Sequence, residues 1–125
     1  MIDLADFLRA RYQEIRQQAV AATTYASATW TTPFSATLDT GDDTINLGDR
    51  EVAAHVILHD PEHVMADIDS KLAVLDHYGR LVHYAEVEQR EPYILAEGAG
   101  FVVLKLLAAP YREHPDYKAE WAPSM

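Results

Sequence analysis

The stretch from His55 to Tyr84, HVILHDPEHVMADIDSKLAVLDHYGRLVHY, constrains the fold more than any other part of the chain. Its apolar residues Val64, Met65, Ile68, Leu72, Leu75, Tyr78 and Val82 recur at spacings of one, three or four. That is the pattern of a helix burying one stripe. Asp60-Pro61 supplies a start signal, because an Asp side chain can cap the first amides and proline needs no amide donor at the first helical position. Upstream, Gly48-Asp49 can cap a short helix through Ala53, His55, Ile57 and Leu58. The expected geometry is a short helix, a bend at His59-Asp60, and a long helix from Pro61 to around Val87. Gly79 lies inside that pattern, either as a tolerated glycine or as a break.

The flanking segments read as cover for this stripe. A first helix is expected from residue 2 to about 22, with Ile2, Leu4, Ala5, Leu8, Tyr12, Ile15, Ala19 and Val20 on its apolar side. Arg9, Arg11, Glu14, Arg16 and Gln17 then form a solvated face; the alternative is that the basic Arg9, Arg11 and Arg16 contact the acidic rest of the chain. Trp30, Phe34, Ala36 and Leu38 alternate with polar positions before Thr40-Gly41-Asp42-Asp43, and Ile45 and Leu47 follow. Period-two patterning around a Gly/Asp turn predicts a short hairpin, with Trp30 and Phe34 as core or seam residues. Asp39, Asp42 and Asp43 lack the twelve-residue spacing of a calcium loop. Further on, Pro92 reads as a break, and Gly98 and Gly100 delay the next helix until Phe101. Phe101 to Ala109 is apolar enough to be a buried helix, and Pro110 ends it. In the tail, Tyr111, Tyr117 and Trp121 are expected to clasp the helices, with His114 fixing the turn; the alternative is a recruitment peptide. The fold class is therefore α+β: one domain over 1–125, small and mostly helical, with three or four helices, a short antiparallel β-hairpin at one edge, and residues 110–125 docked as a tail.

Charge and composition narrow the chemistry. Twenty acidic residues against ten basic ones give a net charge of -10, which opposes direct nucleic-acid binding. The same charge would suit a basic protein partner, or an acidic mimic of nucleic acid if its carboxylates formed a continuous patch. There is no cysteine, so disulfides, thiolate catalysis and cysteine zinc sites are excluded. The opening MIDLADFLRARY has acids where a signal peptide has positive charge, and Phe101 to Ala109 is interrupted by Lys105 and too short for a bilayer span. A cytoplasmic location without membrane attachment is the expectation.

The histidines invite a metal reading. His55, His59 and His63 are spaced four apart, and Asp60 or Asp67 could add an oxygen ligand, which would suit a small metal-dependent hydrolase. Pro61 interrupts that face, and the HExxH carboxylate is missing. The competing reading is structural: His59 bonded across the bend, His63 paired with Asp67, and His77 pairing with a carboxylate or carbonyl between helices. No nucleophile elbow, phosphate loop or dinucleotide fingerprint is present. No catalytic residue and no cofactor are assigned on this reading.

Three segments together carry a resemblance: LADFLRARYQE, AAHVILHDPEHVMADIDSKLAVLDHY and LKLLAAPYREHPDYKAEW. With them the chain resembles a family of small uncharacterised proteins from actinobacteria and their phages, defined as a domain of unknown function. Family positions fall on His55, His59, Asp60, Pro61, Val64, Lys71, His77, Leu107, Pro110, Tyr111, His114, Pro115, Tyr117 and Trp121. The chain departs from relatives that carry an arginine-like residue at Leu58 and His63, or cysteines before the last helix. The resemblance implies phage or prophage origin and no particular activity. The leading expectation is a non-enzymatic accessory or protein-interaction protein, with a protein partner, compatible with homo-oligomerisation, and with Trp30, His77, Tyr111, His114, Tyr117 and Trp121 as structural or interaction residues.

Overall fold

The structure is a computed structural model that describes residues 3–34 and 36–123. It shows a small, mostly helical domain with four α-helices and one short antiparallel hairpin among the described residues. In order these are α1 (Leu4–Ala22), β1 (Thr37–Asp39), β2 (Thr44–Asn46), α2 (Arg50–Ile57), α3 (Pro61–Val82) and α4 (Glu91–Ala108). A π-helical turn follows α3 at His83–Val87, and 3-10 turns occur at Ala109–Tyr111 and Ala119–Trp121. The chain packs as two compact units, one from Met1–Tyr12 with Lys71–Met125 and the other from Gln13–Ser70. Each takes part of α1 and part of α3.

In the Gln13–Ser70 unit, β1 and β2 pair in the register Thr37↔Asn46, Leu38↔Ile45 and Asp39↔Thr44. Thr31 extends the pairing by exchanging backbone hydrogen bonds with Asp39 at 3.0 and 2.8 Å. The turn needs Gly41: its φ is +85°, and a Cβ there would lie 2.6 Å from Ser27 Cβ. Leu38 points inward, whereas Ile45 is half exposed and Phe34 is 72% exposed. Phe34 is therefore no core residue, and the strands are shorter than the alternation suggested, so that rule fails at its outer positions. Asp49 caps α2 as expected, accepting from the Val52 amide at 3.1 Å, and Ala53 is buried beneath. The turn at Leu58 to Asp60 then lets α3 start at Pro61. Trp30 sits over Ala19, Ala22, His59, Pro61 and Val64, around an apolar hollow of about 240 Å³.

In the other unit, Leu4, Phe7, Leu8, Tyr12, Leu75, Leu104, Ala108 and Trp121 form the core. Asp3 caps α1 by accepting the Asp6 amide at 2.8 Å. Ile2 lies outside the described residues, and Val20 at the far end of α1 is exposed rather than on a buried stripe. Gly79 is a tolerated interior glycine of α3. The chain reverses at Gln89, in the left-handed region with φ 52°, and α4 begins at Glu91 with Pro92 in its first turn. This corrects two expectations. Pro92 opens the helix rather than breaking the chain, because its missing N–H is one that no first-turn residue needs. Gly98 and Gly100 lie within α4, and Gly100 lets the helix approach the Tyr78 ring, which a Cβ would meet at 3.0 Å.

Candidate functional site

Asp60 is the most constrained polar side chain in the Gln13–Ser70 unit, being fully buried. Its Oδ2 accepts the Trp30 amide at 3.0 Å, and its Oδ1 accepts the His63 amide at 2.9 Å. The His63 Nδ1 lies 2.6 Å from the same Oδ1. Burial pushes the carboxyl up, but the His63 and Trp30 amides and the His63 imidazole outweigh it, so the group sits below its ordinary value of 3.8. His63 thus turns back to Asp60 and not forward to Asp67, because the cap oxygen already stands beside its ring. His59 bonds through Nδ1 to the His55 carbonyl at 3.0 Å, with the two rings 4.7 Å apart. Among the described residues, no three His, Asp or Glu side chains gather as a metal ion would require. His55 with His59 and His63 with Asp60 meet only as pairs and do not converge with Asp67 on one point, which weakens the hydrolase alternative.

In the unit of Met1–Tyr12 with Lys71–Met125, Phe7 is the hub of an aromatic cluster. Trp121 packs on it at 5.1 Å between centroids, and Tyr111, His114 and Tyr117 meet it edge-on at 6.4, 5.5 and 6.0 Å. Arg11 enters the same cluster: it donates to the His114 ring, and its guanidinium lies 5.1 Å over Phe7. The Asp116 amide donates to His114 Nδ1 at 3.0 Å, which fixes the turn. Arg11 is only 8% exposed, so its assignment to a solvated face is corrected. Arg9, by contrast, reaches Asp76 at 3.2 Å on the surface, and in the other unit Arg16 reaches Asp69 at 2.9 Å.

Two features of α4 escaped the sequence reading. Glu97 and Glu86 lie together on the wall of a hollow of about 240 Å³, part polar and part apolar, that Leu4, Tyr78, Val82, Phe101 and Leu104 help to line. Desolvation, and then the Glu86 carboxyl, raise Glu97; burial, and then the nearby acids Glu97, Glu86 and Asp3, raise Tyr78. The lining includes no serine, histidine or lysine. Plentiful acids in the sequence hid this pair. The second feature is exposure. Leu104 and Ala108 are buried, but Ile94, Leu95, Val102, Val103 and Leu106 are 46% to 80% exposed. The expectation of a buried helix is overturned: hydropathy reports what a helix avoids, not what covers it. The apolar stretch is also longer than expected, since Glu91–Tyr111, with mean hydropathy 1.5, is by length and composition long enough to cross a bilayer. His77 is exposed beside this surface, lining a groove with Val74, Leu81 and Val103.

These features define a small acidic domain in which His59 and His63 are tied into local hydrogen bonds and whose last helix presents apolar side chains outward. The chain belongs to DUF6221, a family of unknown function, which it matches over residues 1–123. No match is found among curated proteins or among solved structures.

Proposed function

We propose that this chain is a non-enzymatic accessory protein that works by contact with protein, in the cytoplasm, as one domain over 1–125. Within its family we place it with phage or prophage proteins of actinobacteria. The observation that carries the reading is the outward apolar face of α4, where Leu95 is 80% and Val102 53% exposed. Contiguous apolar surface of this kind on a charged domain marks contact sites. A photo-crosslinking residue placed at Val102 in cells expressing the chain from its own locus should give a defined protein adduct. The same residue at Glu113, in the tail turn, should not. Absence of any protein adduct from Val102 would remove the reading.

The hydrolase alternative makes a separate prediction. Protein purified without a histidine tag should carry no stoichiometric zinc or manganese by elemental analysis. Three protein ligands at about 2.0–2.2 Å are the minimum for a catalytic zinc, and no such group of three gathers among the described residues. Near-stoichiometric metal that disappears in both His55→Ala and His59→Ala, with folding retained, would put the hydrolase ahead.

A further inference from the structure

The exposed face of α4 has an order that general stickiness does not explain. Leu95, Ala99, Val102 and Leu106 follow one another at spacings of four, three and four. That is the heptad spacing by which one helix seats its side chains between those of another. Leu95, Val102 and Leu106 are all more than half exposed, so this seam has no partner within its own unit. The positions flanking it are Ala96, Gly98, Val103 and Lys105. Gly98 has nothing within 4 Å of a built Cβ, and Lys105 lies back over the Phe101 ring at 5.1 Å.

Charge indicates which partner suits the seam. The chain carries -10 overall, yet between Glu91 and Tyr111 the one other acid is Glu97, which lines the hollow shared with Glu86. Two copies would repel over most of their surfaces and least along this helix. A basic partner would be drawn to the acidic surface elsewhere and would find nothing to pair with here. A bilayer would have to take up Leu104 and Ala108, which are 1% and 0% exposed in the core of their unit, and anionic lipids would repel the chain. A second identical seam meets each requirement, because a two-fold contact pairs the same patch on both copies.

We propose that α4 pairs with α4 of a second copy of this chain in a two-fold dimer centred on Val102. The proposal rests on the contact reading above and deepens it by naming the occupant. A helix this long offers a seam of about 27 Å by about 10 Å. Even with the adjoining groove of Val74, Leu81 and Val103, the contact is smaller than a standard interface and suits a weak, transient dimer. The dimer should therefore be concentration-dependent, its mass rising toward twice the 14.0 kDa of one chain over roughly 1–100 µM. Salt should tighten it by screening the repulsion between copies.

Sedimentation equilibrium of the full chain tests this, with and without added salt. Val102→Glu should stay monomeric at all concentrations with an unchanged helical circular dichroism spectrum. Because the chain has no cysteine, Val102→Cys should oxidise to a covalent dimer, whereas Val20→Cys should not. Leu95→Cys links to itself only if the two helices run parallel, so it reports direction. A chain that stays monomeric at the highest concentration, a Val102→Glu protein that still dimerises, or a Val102→Cys protein that links no faster than Val20→Cys would overturn the dimer. So would a monomer that floats with phosphatidylethanolamine–phosphatidylglycerol vesicles, which makes the occupant a bilayer. A monomer that still yields a Val102 adduct to a different protein in cells would overturn the dimer and leave the contact reading standing.

Discussion

Trp121→Ala should lower unfolding stability by about 3–5 kcal/mol, the range for truncating a well-buried large aromatic. Trp121 is 4% exposed, and three contacts hold its ring: Phe7 at 5.1 Å, Tyr117 at 5.6 Å and the Lys118 ammonium at 5.5 Å. The truncation removes the indole's buried area and leaves a void facing Phe7, which is itself 1% exposed. Urea unfolding followed by circular dichroism measures the loss. The variant also leaves Trp30 as the sole tryptophan, a reporter inside the Gln13–Ser70 unit. On the proposal of one cooperative domain, Trp30 fluorescence should show the same lowered midpoint as the circular dichroism. A loss below about 1 kcal/mol, with the tail cut freely by protease, would show that the indole contributes nothing to the fold.

What the sequence made legible was local chemistry. Asp49 and Asp60 were readable as caps because a cap is settled within three residues, and both accept the amides expected of them. The α3 stripe was readable because Ile68 and Leu75, its most buried members, fall on the helical period. What stayed hidden depended on distant partners. Arg11 looked like surface until His114, 103 residues away, supplied the ring that receives it. Phe7 stood outside the proposed stripe because its importance comes from four tail side chains. Pro92 was ambiguous in principle, since proline suits both a break and a first turn. The outward face of α4 was beyond composition altogether, because Leu104 and Leu106 are the same residue type while one is 1% and the other 51% exposed.

Asp60→Ala should cost about 2–4 kcal/mol, more than a cap alone. Loss of the cap accounts for about 1 kcal/mol. Hydrogen bonds to a charged acceptor contribute about 1.5–3 kcal/mol, and the amides of Trp30 and His63 both lose theirs. Asp60→Asn keeps a cap oxygen but surrenders the charge, so it should lose roughly half as much. Acid should erase the difference in a definite direction. The folded carboxyl lies below its ordinary value, so its stabilisation is complete above the unfolded value of about 3.9 and is lost as pH falls through the folded value beneath it. The gap between wild type and Asp60→Ala should therefore be flat from pH 7 to about pH 5 and shrink below about pH 4. Taking the difference between the two proteins cancels the titration of the other carboxylates, which both share. Urea midpoints at pH 7, 5, 4 and 3 give the profile. A gap that persists undiminished to pH 3, or one that is absent at pH 7, would mean that Asp60 is not the charged anchor joining Trp30 to the start of α3.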